Sequence, residues 1–128
     1  RNNRPNTLSI MFTITKQFHF SASHQLTGLP ADHQCARLHG HNYLVEVVLR
    51  AEQLNEVGFV VDYGELTAFK MMLDERVDHR HLNDVYLFNP TAENLAVEFY
   101  QNAKTHWQQV VAVRVSETAA TWAEYREQ

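Results

Sequence analysis

The sequence predicts an α+β domain, an antiparallel sheet with its helices packed on one face. Three observations predict it: alternating apolar and polar residues in two stretches near the N-terminal end, helical spacing of apolar residues in the middle, and renewed alternation toward the C-terminal end. The resulting order, strand–strand–helix–helix–strand–strand, segregates helices from hairpins rather than interleaving them as a parallel sheet requires.

In the first stretch Phe12, Ile14, Phe18, Phe20 and Ala22 share one parity, while Thr13, Thr15, Gln17, His19, Ser21 and Ser23 hold the other. This is the pattern of a strand with one face on a core and one in water. His24 falls on the apolar parity. Gly28, Pro30 and Asp32 supply turn residues. The second strand starts near His39, with Tyr43, Val45, Val47 and Leu49 on its buried parity and His39 and His41 beside them. Asp62-Tyr63-Gly64-Glu65 has the form of a capping box, and Leu66, Phe69, Leu73 and Val77 then repeat at helical spacing. A second helix opens after Asn89-Pro90 with Thr91 as its cap, and Leu95, Phe99, Ala103 and Trp107 share one face. Val111, Val113 and Val115 alternate, with Glu117 on the same parity, and a last strand covers Thr121 to Tyr125.

Size and charge narrow the function. With 128 residues the chain fits one domain, expected over residues 11–128, with little interior to spare for a large substrate. Residues 1–10 are polar, contain Pro5 and precede Met11, so they read as a disordered arm, a stretch before a late native start, or an expression remnant. The net charge is −4 with no basic run, which argues against nucleic acid and anionic membrane as partners. No apolar stretch is long enough to span a bilayer, and no signal-peptide pattern is present. One cysteine forms no internal disulfide, and a reducing cytoplasm is the expected setting.

The chemistry gathers around the eight histidines. His39 and His41 are one residue apart, so on a strand both rings point to the same face. If that strand pairs with the one carrying His24, three imidazoles converge. Three nitrogen ligands with an open fourth position describe a catalytic zinc site; the competing reading is packed or half-exposed histidines. Cys35, four residues before His39, fits a fourth ligand, a buried filler, or an activated thiolate. Asp78-His79 suggests an imidazole whose tautomer a carboxylate fixes. Glu117, on a buried parity, needs a partner. An arginine is the ordinary one; the alternative is a flat amidine-like edge that donates two parallel hydrogen bonds.

Six strings carry a resemblance to a known family: F-H-F-S-A-S-H (Phe18 to His24), C-A-R-L-H-G-H-N-Y (Cys35 to Tyr43), G-F-V-V-D-Y (Gly58 to Tyr63), D-H-R-H-L-N (Asp78 to Asn83), N-P-T-A-E-N-L-A (Asn89 to Ala96) and V-S-E-T (Val115 to Thr118). In this order they resemble the 6-pyruvoyl-tetrahydropterin synthase family, including its 6-carboxytetrahydropterin synthase branch from queuosine biosynthesis. The resemblance implies the tunnelling fold (T-fold), in which ββααββ subunits join their sheets into a barrel. It further implies a homo-hexamer of two trimers with active sites between subunits. Carried over, it makes His24, His39 and His41 ligands of Zn2+, and Cys35 the catalytic thiol, with Asp78 and His79 completing a triad from an adjacent subunit. Glu117 becomes the anchor of the pterin ring.

The implied substrate is 7,8-dihydroneopterin triphosphate, whose side-chain hydroxyls zinc would bind and acidify. The side chain then rearranges to a pyruvoyl group or breaks, releasing acetaldehyde and leaving a carboxyl group. The C-x-x-x-H-G-H spacing from Cys35 is similar to that of the carboxy branch. A zinc- and pterin-binding protein without catalysis is the alternative outside enzymes. Arg37, Lys16 and Arg80 are the candidates for the triphosphate. His19 and His81 are read as non-ligands, and His33 and His106 carry no match.

Overall fold

The computed structural model describes residues 11–127, and the expectation for residues 1–10 lies outside them. Five strands form one sheet in the order β3-β1-β2-β4-β5: β1 (Phe12–His24), β2 (His39–Ala51), β3 (Arg80–His81), β4 (Val110–Thr118) and β5 (Thr121–Arg126). The helices are α1 (Thr67–Arg76), the single turn α2 (Leu82–Val85) and α3 (Ala92–His106). The expected ββααββ order is present, with β3 and α2 inserted between the two main helices. The sheet is open in the single chain, and β3 runs parallel to β1 while the other pairings are antiparallel.

β1 and β2 pair without interruption, and Phe20 opposite Tyr43, Ala22 opposite His41 and His24 opposite His39 put the apolar parities on one face. That face meets the helices. Phe20 stacks on Tyr43 at 4.6 Å between ring centroids, and Phe18 and Phe20 reach Phe69 of α1 and Phe99 of α3. Leu66, Leu73, Val77, Leu95, Ala103 and Trp107 are buried as their spacing predicts. Phe12 departs from its parity: it is 41% exposed.

Two local expectations need correction. Asp62 caps a 3-10 turn (Tyr63–Leu66) by accepting from the Gly64 N–H at 2.8 Å, and the α-helix starts only at Thr67. The return bond from Glu65 that a full capping box needs is absent among the described residues. In β4, Val48 faces Ala112 while Leu49 faces Val110, so Val111 is the extra residue of a bulge. Val110 therefore takes the core position expected for Val111, and Val113 and Val115 keep theirs.

Candidate functional site

The antiparallel register places His24 and His39 directly opposite each other at the end of the β1–β2 hairpin, with His41 one pleat along. Candidate ligand atoms of the three rings lie within 4.8 Å of one another. His24 is fully buried, and His41 is partly exposed.

Hydrogen bonding fixes two tautomers. The Pro90 carbonyl, which can only accept, lies 2.8 Å from His24 Nδ1, and the Arg37 carbonyl lies 2.7 Å from His39 Nδ1. Both Nδ1 atoms therefore carry hydrogen, and in the neutral rings both Nε2 atoms are bare lone pairs. Those two lone pairs face each other at 2.9 Å. Two acceptors at that distance need a cation between them, and nitrogens sharing a tetrahedral zinc sit about 3.3 Å apart. Burial lowers the His24 pKa, the Pro90 carbonyl opposes that shift, and neighbouring His39 and His41 add to it. Burial first, and His39 second, lower that of His41. Lowered pKa values favour neutral rings, the form that binds a metal, so the donor set fits zinc.

Several of these supports were not singled out from sequence. Asn89 Oδ1 accepts from the Thr27 N–H at 3.0 Å while its Nδ2 donates to the Thr27 carbonyl at 3.1 Å. Asn83 brackets Gln25 in the same way. Together they extend the pairing of the chain beyond β1 and pin the segment that holds the Pro90 carbonyl against His24. Tyr43, fully buried, places its hydroxyl 3.2 Å from His24 Nδ1. Asn83 and Asn89 stand inside two of the strings that carry the family resemblance, which was the available signal.

Glu117 extends from β4 on the parity of Val113 and Val115, and its side chain is 26% exposed. Its carboxylate lies 3.6 Å from His24 Nε2 and 3.8 Å from His41 Nε2. With both rings neutral these are not ion pairs, and no arginine or lysine pairs with Glu117 among the described residues. Burial, then the charge of Glu93, push its pKa up, against a smaller pull from His39.

Cys35 sits in a half-buried 3-10 turn (Gln34–Ala36) capped by His33, whose Nδ1 accepts from the Cys35 N–H at 3.0 Å. Its sulfur does not join the atoms that converge with the three imidazoles. Asp78 and His79 lie at the β3 edge. Asp78 Oδ1 accepts from the Ser21 N–H at 2.9 Å, and Asp78 Oδ2 lies 3.0 Å from His79 Nδ1. The Ser21 N–H, and then His79, hold the Asp78 carboxyl below its ordinary range. His79 adopts φ 60°, a left-handed conformation uncommon for a residue with a side chain, held by its N–H bond to the Ser21 carbonyl at 2.6 Å. Its side chain is 82% exposed. No hydrogen bond or ion pair links Cys35 to Asp78 or His79 among the described residues.

A groove of about 490 Å3 runs along Ser21, Ser23, Asn42, His79, Arg80 and His81 and reaches His41. Of the triphosphate candidates, Arg80 lines this groove and Arg37 adjoins His39 through its carbonyl. Lys16 lines a separate cavity of about 350 Å3 beside Tyr63 and Lys70. His81 bonds Ser23 Oγ at 3.0 Å and stays out of the metal cluster, as do His19, His33 and His106.

Comparison with known proteins identifies the family. Residues 13–128 match the family described as 6-pyruvoyl tetrahydropterin synthase. The chain is 30% identical to the 6-carboxy-5,6,7,8-tetrahydropterin synthase of Bacillus subtilis, over 90% of this chain and 85% of that protein. It is 34% identical to the Rickettsia bellii protein of the same name, over 68% of this chain and 76% of that one. The structure of Caenorhabditis elegans 6-pyruvoyl tetrahydropterin synthase superimposes with a TM-score of 0.82 at 27% identity, covering 95% of this chain and all of that one. The chain therefore belongs to the 6-pyruvoyl tetrahydropterin synthase family, and its curated relatives support the 6-carboxytetrahydropterin branch.

Proposed function

We propose that this chain is a zinc-dependent lyase. It converts 7,8-dihydroneopterin triphosphate and one water to 6-carboxy-5,6,7,8-tetrahydropterin, acetaldehyde and triphosphate, serving deazaguanine (queuosine-type) precursor synthesis. The observation that carries the reading is the pair of tautomer-fixed imidazoles, His24 and His39, facing each other beside His41 in a chain of this family.

Zinc held by the three rings would supply Lewis acidity toward the oxygens of the substrate side chain. The remaining work belongs to the chain's own residues. Glu117 accepts two parallel hydrogen bonds from the amidine edge of the pterin, and those bonds favour its charged form against the burial that now raises its pKa. Cys35 takes a proton from the substrate side chain. Asp78 accepts from His79 Nδ1–H and so leaves His79 Nε2 free to exchange protons. Because His79 is exposed and makes no hydrogen bond with Cys35 among the described residues, we place the Asp78–His79 pair of one subunit beside Cys35 of the next, in a homo-hexamer. A cytoplasmic setting belongs to the same reading, supported by a lone cysteine without a disulfide partner.

The likeness to the Caenorhabditis elegans structure favours a second reading, elimination of triphosphate to a pyruvoyl product. The short spacing from Cys35 to His39 and the names of the curated relatives favour the first. Incubating zinc-loaded protein with 7,8-dihydroneopterin triphosphate and following products by mass spectrometry separates them. Carboxy-tetrahydropterin with matching acetaldehyde is expected. A pyruvoyl product without acetaldehyde replaces the first reading with the second, and no turnover by intact, zinc-loaded protein leaves a binding protein.

A further inference from the structure

Resting on the metal-centre reading, we propose that Glu117 is itself a metal ligand in the substrate-free protein, joining His24, His39 and His41 until the pterin ring claims its carboxylate. Its carboxylate oxygen is 3.6 Å from His24 Nε2 and 3.8 Å from His41 Nε2. Donor atoms that share a tetrahedral zinc are separated by about 3.3 Å. Glu117 therefore stands near ligand spacing from two of the three rings, on the side of His24 and His41; its oxygens lie outside the set of atoms within 4.8 Å of one another, so ligation takes a swing of the side chain toward His39.

The surroundings give the carboxylate no other partner. No arginine, lysine or hydrogen bond meets it among the described residues, and His24 beside it presents the lone pair of its Nε2. A half-buried carboxylate against a lone pair is unfavourable, and a divalent cation between them converts the same contact into attraction.

The backbone at this point is built to aim the side chain. Val115 faces Ala123 while Thr118 faces Thr121, so β4 carries one extra residue across Ser116 and Glu117. Bulges re-aim side chains at sheet ends. Ser116 Oγ donates to the Thr118 carbonyl and fastens this irregular turn of the strand.

The consequence is a coupling of recognition to access. One carboxylate cannot both complete the metal's ligand set and accept the two N–H groups of a pterin edge. Arrival of the ring draws Glu117 away and leaves the fourth position for the substrate's oxygens. Without substrate the site is closed by four protein ligands, as structural zinc sites are.

The test uses full-length protein freed of metal and titrated with Co2+, read by visible absorption, with circular dichroism to verify folding. Glu117→Gln is expected to bind Co2+ roughly tenfold or more weakly than wild type, with shifted bands, and to admit azide at lower concentration. Glu117→Asp keeps the charge but is one methylene shorter, and is expected to show the same loss and shift. Wild-type affinity and bands in Glu117→Gln overturn the proposal and leave the three-histidine site standing. Wild-type behaviour in Glu117→Asp alone overturns ligation in favour of a long-range charge effect. Failure of folded wild type to take up Co2+, or uptake by His39→Ala equal to wild type, overturns the metal-centre reading itself.

Discussion

Asp78 shows how one residue can serve both fold and chemistry. It accepts from the Ser21 N–H of β1 and orients His79. Its folded pKa lies below the ordinary 3.8, so the interaction stabilises the fold above that value and is lost as pH falls through the lower folded value. Urea unfolding across acid pH is expected to show wild type losing more stability below pH 3.8 than Asp78→Asn, whose amide oxygen still accepts from Ser21. Equal pH slopes would contradict this. For Cys35, expected as base, Cys35→Ala should retain zinc and pterin binding but lose at least about a hundredfold in turnover, the usual scale of general-base catalysis. Turnover at the wild-type rate would remove it from the mechanism. His24, His39 and His41 were legible from the sequence because strand parity puts them on one face, while the family resemblance made them a ligand set. The carbonyls that fix their tautomers were not, since backbone oxygens leave no trace in residue type.

Elements position these residues through few contacts. β1 ends at His24, and Asn83 and Asn89 then carry its pairing two steps further by imitating a neighbouring strand. Asn89→Ala is expected to free the Pro90 carbonyl from His24 and weaken zinc binding about tenfold, the scale of losing a partner that orients a ligand. Competition with a chromogenic chelator measures this, and unchanged affinity would contradict the assigned role. Thr91, whose hydroxyl accepts from the Asn94 N–H at 3.1 Å, caps α3. Thr91→Ala should cost about 1 kcal/mol in denaturant unfolding. Helix faces and the first hairpin were legible because their periods run long. The bulge at Val111 was not, because β-branched residues fill either side of a strand equally well. The segment Arg80–Val85 was also missed, since a two-residue strand and one helical turn are too short to show a period.

At the scale of the molecule, the sheet is left with open edges. β1 from Phe12 to Phe20 has no partner on its outer side among the described residues, and neither does β5. Exposed edges invite pairing with another chain. The face away from the helices carries an ordered cluster: Arg114 bonds Glu46 at 2.6 Å, approaches Glu124 at 3.4 Å and lies 4.8 Å over the Trp122 ring. The open edges suit the proposed joining of sheets between subunits, and sedimentation is expected to give a hexamer. The inter-subunit triad has a sharper check. Cys35→Ala and His79→Ala chains, each inactive alone, should regain on the order of a quarter of wild-type turnover when dissociated, mixed equally and reassembled, because random neighbours restore some complete sites. No recovery in reassembled mixtures would place the three groups within one chain.

The most direct test of the account is zinc content per folded chain in wild type and His39→Ala, measured by atomic emission after gel filtration. Wild type should carry one zinc per chain, as expected for a single three-histidine cluster, and His39→Ala should lose it while keeping its secondary structure. Zinc at the wild-type level in folded His39→Ala, or none in folded wild type supplied with the metal, would contradict the account.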